Sequence, residues 1–246
     1  MSDSALARAL WLAWLAWQAG CDPLGGSGAD QAVAVDTWSD PVVLVSSAAR
    51  PAALGQDAQS LYWGDEVGYV RLVSKEGGAV TALYEDVGAA ADLAVANDTV
   101  FWLEASYGRL QSYSLLDDQI FTLAVGLNAP RRLAFGQSYL YWIDGGQQIL
   151  RMPSSGGYSD YVVYGAVDII DLALDDTHLY YGDAGRGAVY AVELQGGAET
   201  LVVSALTGLS AVTADGRRVC WSTRSEIACL DGSEPDEAVK TVARGL

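Results

Sequence analysis

The feature of the sequence that most limits its fold is a three-residue motif that returns at a nearly constant interval. The motif is an aliphatic residue followed by two aromatic residues, with Cys in the middle of the last copy. The five copies are Leu61-Tyr62-Trp63, Val100-Phe101-Trp102, Leu140-Tyr141-Trp142, Leu179-Tyr180-Tyr181 and Val219-Cys220-Trp221. Their first residues are separated by 39, 40, 39 and 40 positions, which indicates repetition of one structural unit.

Each unit contains four short apolar stretches separated by turn residues. One stretch precedes the triplet, with polar residues such as Gln137-Ser138 between them, and the triplet is the second. Turns that often contain Gly, such as Gly77-Gly78, lead to the third and fourth. We find no apolar spacing of about 3.6 residues, which a helical repeat would show. Four strands in about 40 residues are typical of a β-propeller blade, which must stack on its neighbours to bury both faces.

The sequence therefore predicts an all-β protein, a β-propeller of four-stranded antiparallel blades over residues 42–246. Five complete units predict five blades, and six blades are the alternative. Residues 30–47 would supply one or two more strands, and residues 42–47 resemble a fourth strand that leads into the first blade. These strands would either complete the outside of the last blade or form a short sixth blade.

The triplets and the acidic residue that follows them resemble the YWTD repeat of LDL-receptor-like propellers. The best copies are "LYWGD" at Leu61–Asp65 and "LYWID" at Leu140–Asp144, and the resemblance covers roughly residues 50–246. It implies a propeller, usually six-bladed in that family, in which the motif stabilises the blade and does not bind ligand. It also implies that the acidic residues accept hydrogen bonds between blades; these are Asp65, Glu104, Asp144 and Asp183.

The N-terminal stretch "WLAWLAWQAGCD" predicts an export signal. The apolar segment from Ala5 to Trp17 would rise only about 20 Å as a helix, too little for a hydrocarbon core about 30 Å thick. Ala19-Gly20-Cys21 resembles the lipobox of bacterial lipoproteins, although Gln18 replaces the usual aliphatic residue. The resemblance implies a signal peptide at residues 1–20, a lipid on Cys21, and a flexible tether at residues 21–41.

This interpretation places the protein in the bacterial cell envelope, on the periplasmic or the outer surface, and attaches it to a membrane through its lipid. Two other interpretations stay open: ordinary secretion, and an uncleaved anchor or buried helix. The sequence does not select a membrane or a leaflet.

Cys220 and Cys229 are predicted to form a disulfide. If Arg224-Ser225 form a two-residue hairpin turn, residues whose numbers sum to 449 face each other, and these two cysteines do. Directly opposed strand residues have Cβ atoms about 5 Å apart, which is within reach of a disulfide after local adjustment. The alternative is a reduced, buried pair.

A charged cluster is expected at the centre of the propeller, where the first strands line a channel. The position eight residues before each triplet is occupied, in order along the chain, by Ala53, Asp92, Arg132, Asp171 and Ala211. Asp92, Arg132 and Asp171 therefore form a candidate ligand site. Because a cation between two carboxylates satisfies both, a structural ion network is the simpler interpretation.

Composition excludes several classes of function. The net charge of −17 repels phosphate backbones and excludes nucleic acid as a partner. One His and three Cys leave too few ligands for a structural zinc site, and we predict neither a metal nor a cofactor. The CxxC, HExxH, GxSxG and Walker patterns are all missing from the sequence.

The leading hypothesis is a monomeric, non-catalytic binding scaffold for an envelope protein or glycan. The rival is a propeller lyase or hydrolase that uses the channel carboxylates, with or without a divalent metal. A third possibility is a degenerate propeller with an open ring, whose exposed strand edges would make it aggregate or dimerise.

Overall fold

The chain folds into five four-stranded antiparallel sheets, which confirms the predicted class and the count of five blades. The computed structural model describes residues 43–46, 50–231 and 239–244. Blade 1 contains β1 (Pro51–Gln56), β2 (Ser60–Asp65), β3 (Tyr69–Ser74) and β4 (Thr81–Glu85); blade 2 contains β5 (Ala90–Ala96), β6 (Thr99–Glu104), β7 (Arg109–Ser114) and β8 (Ile120–Val125); blade 3 contains β9 (Arg131–Gly136), β10 (Tyr139–Asp144), β11 (Gln148–Pro153) and β12 (Asp160–Tyr164); blade 4 contains β13 (Ile169–Leu174), β14 (His178–Asp183), β15 (Ala188–Glu193) and β16 (Thr200–Val203); blade 5 contains β17 (Ala211–Ala214), β18 (Arg218–Ser222), β19 (Glu226–Asp231) and β20 (Lys240–Arg244).

The triplets form the second strand of every blade, and alternate side chains of that strand face opposite neighbours. In blade 2, Val100 and Trp102 pack in the core shared with blade 1. Phe101 and Leu103 pack in the core shared with blade 3. The triplet therefore supplies apolar surface to both sides of its blade, which explains why all three of its positions are apolar.

Four hydrophobic cores join successive blades from blade 1 to blade 5. Among the described residues, no such core joins blade 5 to blade 1. Leu54 of blade 1 lies opposite Trp63, as Leu93 of blade 2 lies opposite Trp102. Leu54 is 38% exposed and Leu93 only 4%, because blade 1 covers the corresponding face of blade 2. The first face of blade 1 is thus less well covered than the others.

The order of the strands in each sheet follows the order of the chain, so no blade borrows a strand from another part of the sequence. The last blade takes its fourth strand, β20, from the C-terminal segment. Residues 43–46 form no strand, and the first strand begins at Pro51. The predicted strand at residues 42–47 is therefore wrong for its described part. No helix among the described residues has the length and apolarity needed to cross a membrane.

The disulfide between Cys220 and Cys229 is confirmed. The two residues face each other across β18 and β19, with Cα atoms 4.0 Å apart. The alternative of a reduced pair is wrong. Cys220 occupies the middle position of its triplet, where the other blades place Tyr62, Phe101, Tyr141 and Tyr180. In the last blade the disulfide thus stands where the other blades carry a large aromatic side chain.

Candidate functional site

The first strands of all five blades surround one central channel. The cavity has a volume of about 400 Å³ and is lined by residues of β1, β5, β9, β13 and β17. Most of its wall is aliphatic, with Phe135 as an aromatic contribution. Asp92, Arg132 and Asp171 all line the cavity, so the structure brings together the three residues that the sequence singled out.

A β-bulge lies at or beside each of these three charged residues. The pairing between first and second strands shifts register at Ala90/Asp92 in blade 2 and at Ile169/Asp171 in blade 4. In blade 3 the register passes from Leu133 to Arg131, so Arg132 is the extra residue, and its φ angle is 55°. Bulges re-aim side chains, and a non-glycine residue in the left-handed region stores strain. The backbone of Arg132 is therefore held in a costly conformation.

Arg132 and Asp171 form an ion pair between blades 3 and 4. The Arg132 Nε lies 3.1 Å from Asp171 Oδ1, and its side chain is 44% exposed whereas that of Asp171 is 14% exposed. The second oxygen of Asp171 accepts a hydrogen bond of 2.9 Å from the backbone N–H of Val212 in blade 5. Asp171 therefore links three consecutive blades.

Asp92 likewise links two blades, blade 2 and blade 3. Its Oδ2 accepts a hydrogen bond of 2.8 Å from the backbone N–H of Leu133, and its Oδ1 accepts one of 2.9 Å from the N–H of Leu93. The expected cation between two carboxylates is found in part, since the direct ion pair of Arg132 is with Asp171. Arg131 points elsewhere, to the carbonyl of Ile169 at 2.6 Å.

Burial raises the proton affinity of both channel carboxylates. It raises the pKa of Asp171 to about 6, although the charge of Arg132 and the N–H groups of Val212 and Leu172 oppose the rise. Burial likewise raises the pKa of Asp92, against the N–H groups of Leu133 and Leu93 and the charge of Arg132. Asp171 can therefore exchange a proton near neutral pH. Within the described residues, no group of three or more His, Cys, Asp or Glu is placed to hold a metal ion.

The acidic residues that follow the triplets accept hydrogen bonds, but only two of them act between blades. Asp144 accepts from the N–H of Asn128, and Asp183 from the N–H groups of Val167 and Asp168, which lie in the linkers from the preceding blade.

The interpretation as contacts between blades is wrong for the other two acidic residues. The Asp65 carboxylate accepts from Val67, Tyr69 and Arg71 in its own blade. Glu104 likewise accepts from the Trp102 indole and from Arg109, within blade 2.

The structure also shows a surface that the sequence analysis missed, on the outer strands of blades 2 to 4. Large apolar or aromatic side chains are exposed on and beside β8, β12 and β16; they are Phe121, Val125, Tyr158, Tyr161, Tyr164 and Leu201. The available signal was the composition of these strands, since β8 and β16 contain no charged residue and β12 contains one, Asp160.

Comparison by sequence finds no matching protein-family model and no matching curated protein. Comparison by structure finds β-propellers. One is the crystal structure of a nidogen/laminin complex, with 21% identity, a TM-score of 0.63, and coverage of 74% of this chain and 75% of that chain. Another is a streptogramin B lyase, with 9% identity, a TM-score of 0.66, and coverage of 80% and 69%. The chain is a five-bladed β-propeller protein. Its resemblance to YWTD-type propellers is confirmed at the level of the fold.

Proposed function

We propose that this propeller is a non-catalytic binding protein whose partner is another protein. The observation that carries the proposal is the set of exposed apolar and aromatic side chains on and beside the outer strands of blades 2 to 4. Exposed apolar patches are typical of docking sites, and here the rings of Tyr161 and Tyr164 are in contact. The channel carboxylates, by contrast, already accept hydrogen bonds from neighbouring blades. The nidogen/laminin neighbour is itself described as a complex.

Chemical crosslinking of the tagged, full-length protein in its native membranes tests this function. We expect one partner protein to be captured reproducibly, with crosslinks on blades 2 to 4. Turnover of a small molecule that Asp171→Asn abolishes, with the fold intact by circular dichroism, would overturn the proposal. Binding to a glycan array in place of any protein would overturn the choice of partner.

We further propose that the protein is a lipoprotein of the bacterial cell envelope, anchored through Cys21. That residue, the signal peptide at 1–20 and the tether at 21–41 lie outside the described residues. The support is the sequence Ala19-Gly20-Cys21 and the outcome for the other cysteines, since Cys220 and Cys229 bond to each other. Cys21→Ala should release the protein from membranes into the soluble fraction. Gln18→Leu, which restores the usual aliphatic residue, is the matched control and should leave it bound.

A second candidate function is a lyase or hydrolase with its site in the channel. It is favoured by the cavity of about 400 Å³ and by Asp171, whose pKa is raised to about 6 by burial. The lyase neighbour shows that this fold can carry such an activity. A thermal-shift titration with Ca²⁺, Mg²⁺ and Mn²⁺, with and without chelator, tests the metal-dependent version. An unchanged melting temperature argues against it, because a ligand of the folded state must stabilise it.

A further inference from the structure

The outer strand of blade 3, β12 (Asp160–Tyr164), has the features of a site for strand addition. β12 is the last strand of its sheet, so its outer edge pairs with no described strand. An unpaired edge presents a row of N–H and C=O groups that another chain can bind. Charges, proline and β-bulges protect such edges, and the pairing of the third and fourth strands contains a bulge in every blade.

Protection of the edges differs between blades. The fourth strand of blade 5 carries Lys240 and that of blade 1 carries Glu85, and charges of this kind discourage pairing. β12 has the sequence DYVVY, with one charge at its first position and no proline. The edge of blade 3 is therefore comparable in charge to that of blade 1, and it differs from the uncharged strands β8 and β16 in its exposed tyrosines.

The tyrosines on and beside β12 are largely exposed. Tyr158, Tyr161 and Tyr164 are 94%, 62% and 74% exposed, and the rings of Tyr161 and Tyr164 meet edge to face with centroids 5.5 Å apart. Gly157 and Gly165 border the strand, and a Cβ atom placed on either would have no neighbour within 4 Å. At the Gly165 end of the strand, the guanidinium of Arg186 donates a hydrogen bond of 3.0 Å to the Gly165 carbonyl.

Charge decides between the possible occupants. A second copy of the chain would bring a second net charge of −17, and like charges oppose such pairing. A segment with Lys or Arg at alternate positions would be attracted to the acidic surface and to Asp160, while its apolar residues contacted the tyrosines. Main-chain hydrogen bonds supply affinity and alternate side chains supply specificity in this mode of recognition.

We propose that β12 binds an extended segment of a partner protein, in which apolar and basic residues alternate, as a fifth strand of blade 3. This inference rests on the proposed function and deepens it by assigning the site and the chemistry of the partner. The tyrosines Tyr161 and Tyr164 contact the apolar side chains of the added strand.

The test uses the full-length protein in detergent and a phage-displayed library of random twelve-residue peptides. We expect the selected peptides to alternate apolar residues with Lys or Arg. A synthetic peptide of the dominant sequence should slow hydrogen exchange of the amides of β12 and should bind more weakly as salt increases. Tyr161→Lys should weaken its binding about tenfold, which corresponds to ~1.4 kcal/mol.

Matched variants make the result specific to this edge. Val242→Lys adds the same charge to β20, an edge that already carries Lys240, and should leave binding unchanged. Tyr164→Lys is a second variant of β12 in case Tyr161→Lys does not fold, which circular dichroism will show. Both tyrosines are largely exposed, so we expect both variants to fold.

Several results would overturn the inference. These are a library that yields no such peptide, equal binding by Tyr161→Lys, and slowed exchange confined to other strands. A dimer of the full chain that Tyr161→Lys dissociates would assign the edge to a second copy, and a glycan displaced by the same variant would assign it to a sugar. A partner protein crosslinked away from β12 would overturn this site and leave the proposed function standing, whereas the lack of any protein partner would overturn both.

Discussion

Asp183→Ala should be among the most damaging single changes that leave the hydrophobic cores intact. The carboxylate has no exposed surface, although it follows the triplet of blade 4 as a charged residue. It accepts hydrogen bonds of 3.0 Å from the backbone N–H groups of Val167, Asp168 and Arg186, and its Oδ2 lies 3.3 Å from the Arg186 Nε. The variant would leave three N–H groups and one guanidinium without this acceptor.

The expected loss of stability follows from these contacts. An N–H group left without a partner costs about 1–3 kcal/mol, and the lower figure applies here because the three groups are only partly buried. Three such groups cost about 3 kcal/mol, and removing the partner of Arg186 brings the total to about 3–4 kcal/mol. A domain of this size should lose roughly 6–16 °C in melting temperature.

The effect should also depend on pH in a definite direction. Burial alone would raise the pKa of Asp183, but the three N–H groups and the charge of Arg186 lower it below the usual 3.8. A carboxylate with a lowered pKa stabilises the folded state above its unfolded value, and that contribution is lost as the pH falls through the folded value. The difference in unfolding free energy between wild type and Asp183→Ala should therefore be constant from pH 7 to about pH 5 and shrink below about pH 4.

Urea denaturation followed by tryptophan fluorescence measures both effects. Asp168→Ala is the control, because it removes an exposed carboxylate from the same linker and leaves its backbone N–H in place; its ion pair with Arg131 should be worth less than about 1 kcal/mol. If Asp183→Ala costs no more than Asp168→Ala, or if its cost is the same at pH 3 and pH 7, the assignment of Asp183 as an acceptor between blades is refuted.

Three further predictions concern the disulfide, the channel and the first face of blade 1. Cys220→Ser should lower the unfolding free energy by about 2 kcal/mol, measured by urea denaturation, and reductant should then destabilise wild type but not the variant. Because burial raises the pKa of Asp171 to about 6, this residue should make folding stability increase as the pH falls from about 6 to 4, and Asp171→Asn should reduce the slope in a pH series of thermal melts. Leu93→Ala should cost about 2–5 kcal/mol, whereas Leu54→Ala should cost less than half as much because its side chain is 38% exposed; equal costs would show that the first face of blade 1 is covered as well as that of blade 2.

The blades were predictable from the sequence because their signal is local and repeated. The triplets fix the second strand, and alternation then assigns Val100 and Trp102 to one neighbour and Phe101 to the other. The same logic predicted the disulfide, since a two-residue turn determines which residues oppose each other. The prediction for residues 42–47 was wrong because an apolar stretch forms a strand only where a partner strand is available, and residues 43–46 form no strand.

The sequence predicted which residues line the channel, but it did not predict the contacts that these residues make. Counting back from the triplets found Asp92, Arg132 and Asp171 in the channel. The contacts of these three residues depend on β-bulges, which re-aim their side chains. Arg132 forms an ion pair with Asp171, and Asp92 accepts a hydrogen bond from the N–H of Leu133. A bulge is one inserted residue in a ladder, and nothing in a repeat of 39 or 40 positions reveals it. The exposed tyrosines of β12 were not predictable, because the sequence of this strand does not show which of its side chains face solvent.

The consecutive order of the strands within each blade has a consequence for how the chain acquires its structure. Every sheet closes from contacts within one stretch of about 40 residues, and each core then needs only the next blade in the sequence. Such local contacts favour rapid, vectorial folding, in which blade 1 forms first and serves as a template for blade 2 while later segments are still being made. Because β1 and β20 belong to different sheets, a circular permutant that joins the segments outside them and opens the chain in the linker between β8 and β9 should form the same five sheets.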